Sequence, residues 1–389
     1  MIKQIICVKA VLPSGVSDRT TVAYENGKIV YVGDEILRDA EIIDGRGEYL
    51  LAGFIDLHCH GGAGFDFMDA TAEEIGKIAA FHESCGTTTL VPTTMTGTAE
   101  HIAAALDGLA AYYSAVKDTP LTGAHLEGPW LSPAQCGAQS PEKMDLPSEE
   151  KLRAIIGKYP FVSRISLAPE LENGIETGRA GAAAGLVVSA AHTDADFDKI
   201  IEAADNGYTL MTHLYSGMAG VTRKNAYRTA GAVEAGLYDD RLAVEIIADG
   251  KHLPSGLLKL IYKCKGADGV CLITDAMRAA GLGDGARSVL GRNDDGLPVT
   301  VEDGVAKTLD RQSFAGSVAT TDRLVRTMAG IGVSLTDISK MASATPARVM
   351  GFTDRGAIEV GKRADFVFMN DALEVTEVIR GGEIVRAKE

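Results

Sequence analysis

Eight short apolar segments recur between residues 53 and about 350, and amphipathic segments separate them. Continuous apolar runs that alternate with amphipathic helices are typical of a parallel β-sheet whose outer face is covered by helices. Eight such units within about 250 residues predict an α/β fold, a (β/α)8 TIM barrel. A doubly wound open sheet is disfavoured because no glycine-rich phosphate-binding motif follows the first segment. The eight segments are GFIDLHCHG (53–61), TTTLVPTTMT (87–96), LTGAHLEGPW (121–130), RISLAPE (164–170), GLVVSAAHTDA (185–195), YTLMTHLYSGM (208–218), LAVEIIADGKHL (242–253) and GVCLITDAM (269–277).

The stretch between the first two segments carries a complete helix signal. Thr71 and Glu74 have the spacing of a capping box, and Ile75 and Ile78 begin an apolar face. Gly86 is the residue type that commonly ends a helix. We therefore expect a helix between Thr71 and Gly86.

Both ends of the chain carry β-strand patterns instead. Near the N-terminus, Asn26-Gly27 separates two strand-like runs and predicts a tight hairpin. Near the C-terminus, Gly381-Gly382 separates two similar runs. We expect the two ends to form one small β-sandwich domain from residues 1–52 and 354–389, with the barrel spanning residues 53–353.

Charge and cysteine content narrow the class of protein. The formal net charge is −15, without a long block of lysine or arginine, which argues against nucleic acid or an anionic membrane as the main partner. No apolar run is long enough for a membrane span or a signal peptide. Six cysteines without a CxxC pair indicate reduced thiols, and hence a cytoplasmic protein.

Polar residues follow the apolar segments. In a parallel barrel the carboxyl ends of the strands meet at one rim, and the active sites of such barrels lie there. Six of the eight histidines lie there. The other two, His82 and His101, fall on predicted helices, where we expect surface or half-buried positions. The polar residues at the segment ends are His58, His60, Thr93, Thr94, His125, Glu127, Glu170, His192, His213, Asp249, His252 and Asp275.

His58 and His60 flank Cys59 in the first segment. Because strand side chains alternate, both imidazoles should face one side and Cys59 the other, which favours a buried thiol over a nucleophile. Taken alone, the pair also fits two histidines hydrogen-bonded within a sheet. A catalytic divalent metal, Zn²⁺, Fe²⁺ or Mn²⁺, is favoured because further nitrogen and oxygen donors reach the same rim: Glu127, His192, His213 and Asp275.

Two carboxylates keep more than one interpretation. Asp275 is either a metal ligand or a general base, and a carboxylate beside a metal-bound water can serve as both. Glu170 fits a partner of a metal ligand or a structural hydrogen-bond acceptor better than a ligand. A serine hydrolase is disfavoured because no GxSxG motif is present.

Over essentially its whole length the sequence resembles the amidohydrolase superfamily, and within it the N-acetylglucosamine-6-phosphate deacetylases. The motifs that carry the resemblance are GFIDLHCHG, GTTTLVPT, HLEGPW, LAPE, AAHTDA, THLYSGM, ADGKH, LITDAM, FAGS and the tail GAIEVGKRADFVF. The resemblance implies a homodimer that hydrolyses the N-acetyl group of an amino-sugar 6-phosphate with one or two divalent ions.

The same resemblance implies roles for individual residues. Glu127, His192 and His213 would bind one ion, and His58 and His60, with Glu127, a second. Asp275 would act as acid and base beside the metal, and His252 would contact the substrate and polarise the amide carbonyl. The remaining residues implied to line the sugar pocket are Ala138, Gln139, Ser216, Gly217, Ala248, Phe314, Ala315 and Gly316.

A phosphorylated substrate also requires a local cationic group. We expect it in VTRKNAYR after the sixth segment, with Arg228 as the best candidate and Arg223 and Lys224 as others, reaching across a dimer as in family members. An ordinary solvated loop is the alternative for this stretch.

Departures from the family pattern leave the exact sugar open. Gln139 stands where relatives commonly have His, Ser216-Gly217 replaces Asn-Ala, and Phe314 replaces Leu. An epimeric sugar or a different N-acyl group is therefore an alternative. A cyclic amidase or deaminase is less favoured, because the fourth segment ends in Glu170 rather than a lysine. A non-catalytic barrel relative would have lost metal ligands, whereas every candidate position here is filled.

Overall fold

A computed structural model describes residues 1–387 of the chain, except for the side chain of Lys224. The strands are β1 (Lys3–Ile6), β2 (Lys9–Leu12), β3 (Gly15–Ser17), β4 (Thr21–Glu25), β5 (Lys28–Gly33), β6 (Glu41–Asp44), β7 (Tyr49–Ala52), β8 (Phe54–Cys59), β9 (Gly61–Gly62), β10 (Phe65–Asp66), β11 (Thr87–Pro92), β12 (His125–Glu127), β13 (Arg164–Leu167), β14 (Val187–Ala190), β15 (Tyr208–Met211), β16 (Thr222–Lys224), β17 (Tyr227–Thr229), β18 (Ala243–Ile246), β19 (Val270–Leu272), β20 (Arg287–Leu290), β21 (Leu297–Glu302), β22 (Val305–Thr308), β23 (Phe366–Met369), β24 (Val375–Arg380) and β25 (Glu383–Arg386). The α-helices are α1 (Ala72–Ser84), α2 (Ala99–Ala115), α3 (Glu149–Lys158), α4 (Gly174–Ala183), α5 (Phe197–Asp205), α6 (Ala232–Tyr238), α7 (Ser255–Lys265), α8 (Thr321–Gly330), α9 (Leu335–Ser339) and α10 (Thr345–Val349).

All eight apolar segments contain a strand that pairs in parallel. Six of these strands form one sheet in the order β12-β13-β14-β15-β18-β19, and β8 pairs with β11. Parallel bridges join the two groups at both edges: Thr93 with His125, and Cys59 with Ala276. The carboxyl ends of the eight strands therefore lie on one side of the molecule, where the sequence pattern places the polar residues.

Helix α1 confirms the predicted capping box. The Thr71 hydroxyl accepts from the Glu74 amide, and the Glu74 carboxylate accepts from the Thr71 amide. Ile75 and Ile78 are buried against the sheet. The expectation for His82 is wrong, because it is fully buried at the end of the apolar face of α1.

The chain termini share two further sheets, with strand orders β5-β4-β1-β6 and β25-β24-β23-β7-β2-β3. In the second sheet the C-terminal β23 pairs antiparallel with the N-terminal β7. Ile5, Leu50 and Phe366 belong to one apolar cluster that the two sheets share. The predicted hairpin turns at Asn26-Gly27 and Gly381-Gly382 are confirmed.

Three β elements interrupt the alternation of strands and helices, and none was predicted. The first is the antiparallel pair of β9 and β10, between β8 and α1. Strands β20, β21 and β22 form an antiparallel sheet between β19 and α8. Strands β16 and β17 form a hairpin where a loop was expected, turning at Asn225 and Ala226 with φ values of 49° and 72°. Asn225-Ala226 lacks the glycine that marks most tight hairpins, so the sequence signal was weak.

The largest apolar cluster fills the space between the parallel strands and their helices, and includes Leu126, Ile165, Val244 and Leu258. None of the helices within residues 1–387 combines the length and the apolar character that crossing a bilayer requires.

Candidate metal centre

His58 lies near the end of β8, and His60 directly follows that strand. Their side chains lie on the same side, with the two Nε2 atoms 3.1 Å apart. Cys59 points the other way, where its Sγ lies 3.3 Å from His82 Nε2. The alternation of strand side chains thus brings the two imidazoles together and keeps the thiol away from them.

Glu127, at the end of β12, lies between four imidazoles. Its Oε1 is 2.9 Å from His213 Nε2 and 3.4 Å from His192 Nε2. Its Oε2 is 3.3 Å from His60 Nε2. Asp275 completes the group, with Oδ1 3.2 Å from His60 Nε2 and 3.5 Å from His58 Nε2. We call these residues the donor cluster, and all are buried: His58, His60, Glu127, His192, His213 and Asp275.

Three members of the donor cluster have positive φ angles, namely His192 at 41°, His213 at 27° and Asp275 at 47°. Such values are costly for residues other than glycine and occur where the surrounding structure enforces them, often at functional sites. Each of the three follows a parallel strand after one or two intervening residues. The turn at the strand end therefore redirects these side chains into the cluster.

The outer nitrogens of three imidazoles are held by the chain. His192 Nδ1 donates to Gln135 O at 2.8 Å, and His213 Nδ1 donates to Ser216 O at 3.1 Å. His58 Nδ1 lies 3.4 Å from Glu245 Oε2. With Nδ1 protonated for these contacts, Nε2 of each ring directs its lone pair at the cluster, which is the arrangement that metal-ligating histidines adopt.

The donor set fits a divalent metal ion. Groups of ligand atoms within 4.8 Å of one another are His58–Glu127–His213 and His58–His60–Asp275. Buried imidazole and carboxylate donors without thiolate suit Zn²⁺, Fe²⁺ or Mn²⁺. His60 Nδ1 has no hydrogen-bond partner among the described residues, which leaves that ring held only on its Nε2 side. The donor cluster has six side chains, whereas one such ion takes about three or four protein ligands, so the cluster has donors for more than one ion.

Neighbouring histidines favour the ionised forms of the two buried carboxylates of the donor cluster. Burial opposes ionisation of Glu127, but His58 and the other imidazoles hold its pKa well below the usual range. Asp275 follows the same pattern, with His60 lowering its pKa against the effect of burial. Burial lowers the pKa of His58, but Glu127, Glu245 and Asp275 together outweigh burial and raise that pKa to about 9, so a bound metal ion would displace the proton on Nε2. The two carboxylates are therefore available as anionic ligands at neutral pH.

His125 is the first residue of β12 and so lies at its amino end, and Glu170 follows β13 by three residues; both lie outside the donor cluster. Both ring nitrogens of His125 form hydrogen bonds with hydroxyl groups of neighbouring segments. Nε2 lies 2.7 Å from Ser166 Oγ, and Nδ1 lies 3.2 Å from Thr93 Oγ1. Glu170 accepts from the Asp194 amide at 2.6 Å and from the Thr193 hydroxyl, so it holds the loop that follows His192.

A cavity of about 220 Å³ opens over the donor cluster. His252 lies at its wall, with Nδ1 2.8 Å from Asp249 Oδ2 and its ring 4.8 Å from that of Phe314. The carboxylate of Asp249 thus fixes the ring and leaves Nε2 free to face the cavity. Of the predicted sugar-pocket residues, those lining the cavity are Ala138, Gln139, Ser216, Gly217, His252, Phe314 and Gly316.

The other predicted pocket residues lie elsewhere. Ala248 and Ala315 are fully buried and do not line this cavity. Arg228 is exposed on β17 and makes no hydrogen bond or ion pair with the part of the chain that the structure describes. The predicted contact of the Lys224 side chain lies outside the described residues.

With this geometry established, comparison with known proteins gives the family. The model of the amidohydrolase family matches residues 49–385. The chain belongs to the amidohydrolase family. The resemblance drawn from the sequence motifs is thereby confirmed.

Two curated relatives and two solved structures of this amidohydrolase illustrate the similarity. An N-acetylglucosamine-6-phosphate deacetylase of Lysinibacillus sphaericus is 34% identical, covering 99% of this chain and 97% of its own. An N-acetylgalactosamine-6-phosphate deacetylase of Escherichia coli O157:H7 is 33% identical over 89% and 88%. A solved mutant of the N-acetyl-D-glucosamine-6-phosphate deacetylase from Mycobacterium smegmatis, in complex with N-acetyl-D-glucosamine-6-phosphate, matches with TM-score 0.91 and 30% identity over 99% and 100%. The N-acetylglucosamine-6-phosphate deacetylase of Thermotoga maritima matches with TM-score 0.86 and 31% identity over 100% of both chains.

Beneath the donor cluster this amidohydrolase contains a buried ion pair that the sequence analysis missed. Arg164 of β13 forms two hydrogen bonds with the carboxylate of Glu245 on β18, and both side chains are fully buried. Arg164 also donates to Leu57 O and to Thr212 Oγ1, each at 3.0 Å. Because Glu245 faces His58 Nδ1, the pair supports the first histidine from below. A charged residue within each of the apolar runs RISL and AVEI was the available signal.

A third group of possible ligands joins β8 and α1 and consists of Asp56, Cys59 and His82. Asp56 accepts from the amides of His58 and Thr274, and His82 lies 2.9 Å from Gly61 O. Burial raises the pKa of the Cys59 thiol well above its usual value. Asp56 is thus held by His58 and Thr274, and His82 Nε2 contacts Gly61 O and Cys59 Sγ, so hydrogen bonds account for the closeness of the three groups.

Proposed function

We propose that this chain is a metal-dependent deacetylase that converts N-acetylglucosamine 6-phosphate to glucosamine 6-phosphate and acetate. The observation that carries the proposal is the donor cluster, four imidazoles and two carboxylates buried at the base of one cavity. Near-full-length relatives named for this activity support the choice of substrate.

The metal would be held by the whole donor cluster. Glu127, His192 and His213 would ligate one divalent ion, and His58 and His60, with Glu127 and Asp275, a second. Zinc is our first choice, with iron or manganese as alternatives, because the donors are nitrogen and oxygen. Such an ion polarises a carbonyl and lowers the pKa of a water molecule.

Asp275 and His252 would carry the proton and the developing charge. Asp275 would take a proton from the attacking water as the new C–O bond forms. It would give that proton to the sugar nitrogen as the C–N bond breaks, so that acetate and the amine leave. His252, held by Asp249, would in its imidazolium form donate from Nε2 to the oxygen of the amide carbonyl and stabilise its negative charge.

The sugar would occupy the cavity above the cluster. We propose contacts from Ala138, Ser216, Gly217, Phe314 and Gly316, with Ala248 and Ala315 shaping the wall from behind and Gln139 lying in the wall beside Glu127. Arg228, assisted by Lys224, would bind the phosphate in the cavity of a second copy. The exposure of Arg228 and its lack of a partner among the described residues support this arrangement, which requires a homodimer.

We further propose that the eight parallel strands close into a (β/α)8 barrel over residues 53–353. The bridges from Thr93 to His125 and from Cys59 to Ala276 support closure, since they join β11 to β12 and β8 to the residues after β19. Residues 1–52 and 354–389 would form the β-sandwich domain. The six free thiols support a cytoplasmic location.

A deacetylase for N-acetylgalactosamine 6-phosphate is the second candidate. Relatives with that name are 33% and 31% identical to this chain, close to the identity of the glucosamine enzymes. Ser216, Gly217 and Phe314 line the cavity and differ from the common family pattern, so they are the positions where the two epimers would be distinguished.

Acetate release from both sugar phosphates tests the proposal. The metal-loaded protein should release acetate from N-acetylglucosamine 6-phosphate with the higher kcat/KM, and a chelator should abolish the activity until Zn²⁺, Fe²⁺ or Mn²⁺ is restored. A higher kcat/KM for the galactosamine epimer would favour the second candidate. Activity on neither sugar with fully loaded protein would refute both.

A further inference from the structure

Gln139 is buried beside the donor cluster, and both ends of its amide are bonded within the chain. Its Nε2 donates to Glu127 Oε2 at 2.6 Å. Its Oε1 accepts from the backbone amide of Thr96 at 2.9 Å. Since an amide N–H can only donate, the Thr96 contact fixes which end of Gln139 points at Glu127.

The backbone brings these residues together closely. At Gly128, next to Glu127, a Cβ atom would lie 2.3 Å from Thr96 Oγ1 and 3.2 Å from Thr96 Cα. Gly128 also has φ +81°, a conformation that glycine adopts without strain. The absence of a side chain at Gly128 therefore allows the Thr96 backbone to approach Glu127 with Gln139 between them.

The two oxygens of Glu127 face different parts of the cluster. Oε1 faces His192 and His213, whereas Oε2 faces His60 and Gln139. Rotation about the last torsion of a glutamate is broad, so an external hydrogen bond is needed to hold this orientation. Imidazole nitrogens that ligate a metal no longer donate protons to a carboxylate. Gln139 is the neighbour of Glu127 that remains a donor in that state.

We propose that Gln139 is a positioning residue for Glu127, one that orients its carboxylate for metal binding. This inference rests on the proposed function, because it assigns Glu127 as the shared metal ligand. The resemblance to the family implied a sugar contact at this position instead. The two roles predict different consequences of substitution, since a sugar contact affects KM and a ligand-orienting contact affects metal affinity.

The test is Gln139→Met, which keeps the length of the side chain but removes donor and acceptor. Zn²⁺ affinity of the chelator-stripped protein, measured by competition with a chromophoric chelator, should fall about 10- to 100-fold. With saturating Zn²⁺, KM for the sugar phosphate should stay within about twofold. The visible spectrum of the Co²⁺-loaded protein should also change, because it reports ligand geometry. An unchanged Zn²⁺ affinity with a KM raised about tenfold would overturn the proposal in favour of a sugar contact.

Two further variants make the result decisive. Gln312→Met is the matched control, because the side chain of Gln312 is exposed and bonds to Asp310 O rather than to the donor cluster. It should keep both Zn²⁺ affinity and the Co²⁺ spectrum. Gln139→Ala replaces Gln139→Met if the latter does not fold, as judged by circular dichroism without metal. If both Gln139 variants fail to fold without metal, the role is structural and the proposal is wrong.

Failure of the proposed function would look different. Zn²⁺ affinity and the Co²⁺ spectrum need no substrate, so they report on Gln139 even if the protein released no acetate. A protein that deacetylates the sugar phosphate but binds Zn²⁺ equally well with Gln139→Met would retain the function and lose this inference.

Discussion

The donor cluster and the hairpin formed by β16 and β17 present polar groups in opposite ways. The cluster is buried, and its histidines are held from behind by Glu245, Gln135 O and Ser216 O. The hairpin is exposed, and Arg223 and Arg228 have no hydrogen bond or ion pair to other described residues.

The difference suggests that the two regions have different roles, catalysis in the donor cluster and substrate binding in the hairpin. Preorganised groups in a buried site lose little energy to reorganisation when charge develops, so under the proposed function one chain would supply the residues of the bond-breaking step. Exposed arginines gain binding energy only when a partner orders and desolvates them. The cluster should therefore control turnover, metal binding and stability, whereas the hairpin should control substrate affinity.

The largest effect should come from Asp275→Asn. Removing the carboxylate that we propose as the proton carrier should lower kcat by about 10²- to 10⁴-fold, the usual contribution of a general acid or base. Five of the six cluster residues remain, so the folded structure and bound Zn²⁺ should persist, as measured by circular dichroism and metal analysis. Asp303→Asn, on an exposed turn, is the control and should keep wild-type kcat. Wild-type turnover in Asp275→Asn would place the proton-transfer role on another residue.

The next largest effect should come from the support beneath the cluster. Glu245→Gln leaves the buried Arg164 without a counter-charge and should lower the free energy of unfolding by about 3 to 5 kcal/mol. The double variant Arg164→Met/Glu245→Met removes both charges and should be close to wild type in stability, while metal affinity falls because His58 loses its acceptor. Urea denaturation of the metal-free proteins gives the stabilities. A double variant less stable than Glu245→Gln would contradict this account.

A smaller effect should appear as acid sensitivity in the wall behind the cluster. Burial lowers the pKa of His82 to about 4, whereas an unfolded chain binds this proton near pH 6.5. The proton therefore favours the unfolded state as the pH falls from about 6.5 to about 4, which lowers the free energy of unfolding by up to about 3 kcal/mol. His82→Gln should lose this part of the pH dependence between about pH 7.5 and pH 5, measured by urea denaturation. His101→Gln is the control, and an equal change in both variants would argue against His82 as the source.

The smallest effect should come from the hairpin. Arg228→Ala should raise KM for the sugar phosphate about 10- to 100-fold, the value of a lost charged hydrogen bond, with Zn²⁺ content unchanged. Arg153→Ala, on the surface of α3, is the matched control. A fall in the metal content of the Arg228 variant would contradict the claim that the hairpin controls substrate affinity and the donor cluster controls metal binding.

Mixing variants tests whether the hairpin serves a second copy. A mixed dimer of Arg228→Ala and Asp275→Asn chains contains one site with an intact Asp275 and an intact partner arginine. Co-expression should therefore restore acetate release at low substrate concentration above that of either variant alone. Activity no higher than the mean of the two separate variants would place Arg228 at the site of its own chain.

Local patterns predicted those parts of the fold and the site that depend on neighbours in sequence. The capping box at Thr71 and the hairpin at Asn26-Gly27 are local hydrogen-bond patterns, and both are present. The side chains of His58 and His60 lie on the same side because side chains alternate between the two faces of a β-strand. Family motifs marked Glu127, His192 and His213 as members of one group, and the structure brings them together.

Contacts between distant segments were not predictable in the same way. Arg164 and Glu245 are 81 residues apart, and each appeared only as a charge within an apolar run. His82 looked like part of a helix surface, because its burial depends on Gly61 and Cys59 of another element. Sheet β20-β21-β22 lies outside the repeating pattern, so the pattern carried no signal for it.

The sequence by itself determined the eight repeated parallel strands, helix α1 and the ends at which nitrogen and oxygen donors gather. Those properties follow from periodicity and residue type, which a single chain displays locally. Only the tertiary structure decided which nitrogen of each histidine faces the cluster and which partner each oxygen of Glu127 contacts. It also decided that the Gln139 amide bonds to Glu127 and Thr96. Those choices depend on hydrogen bonds between segments far apart in the chain, and such bonds exist only once the fold has brought the segments together.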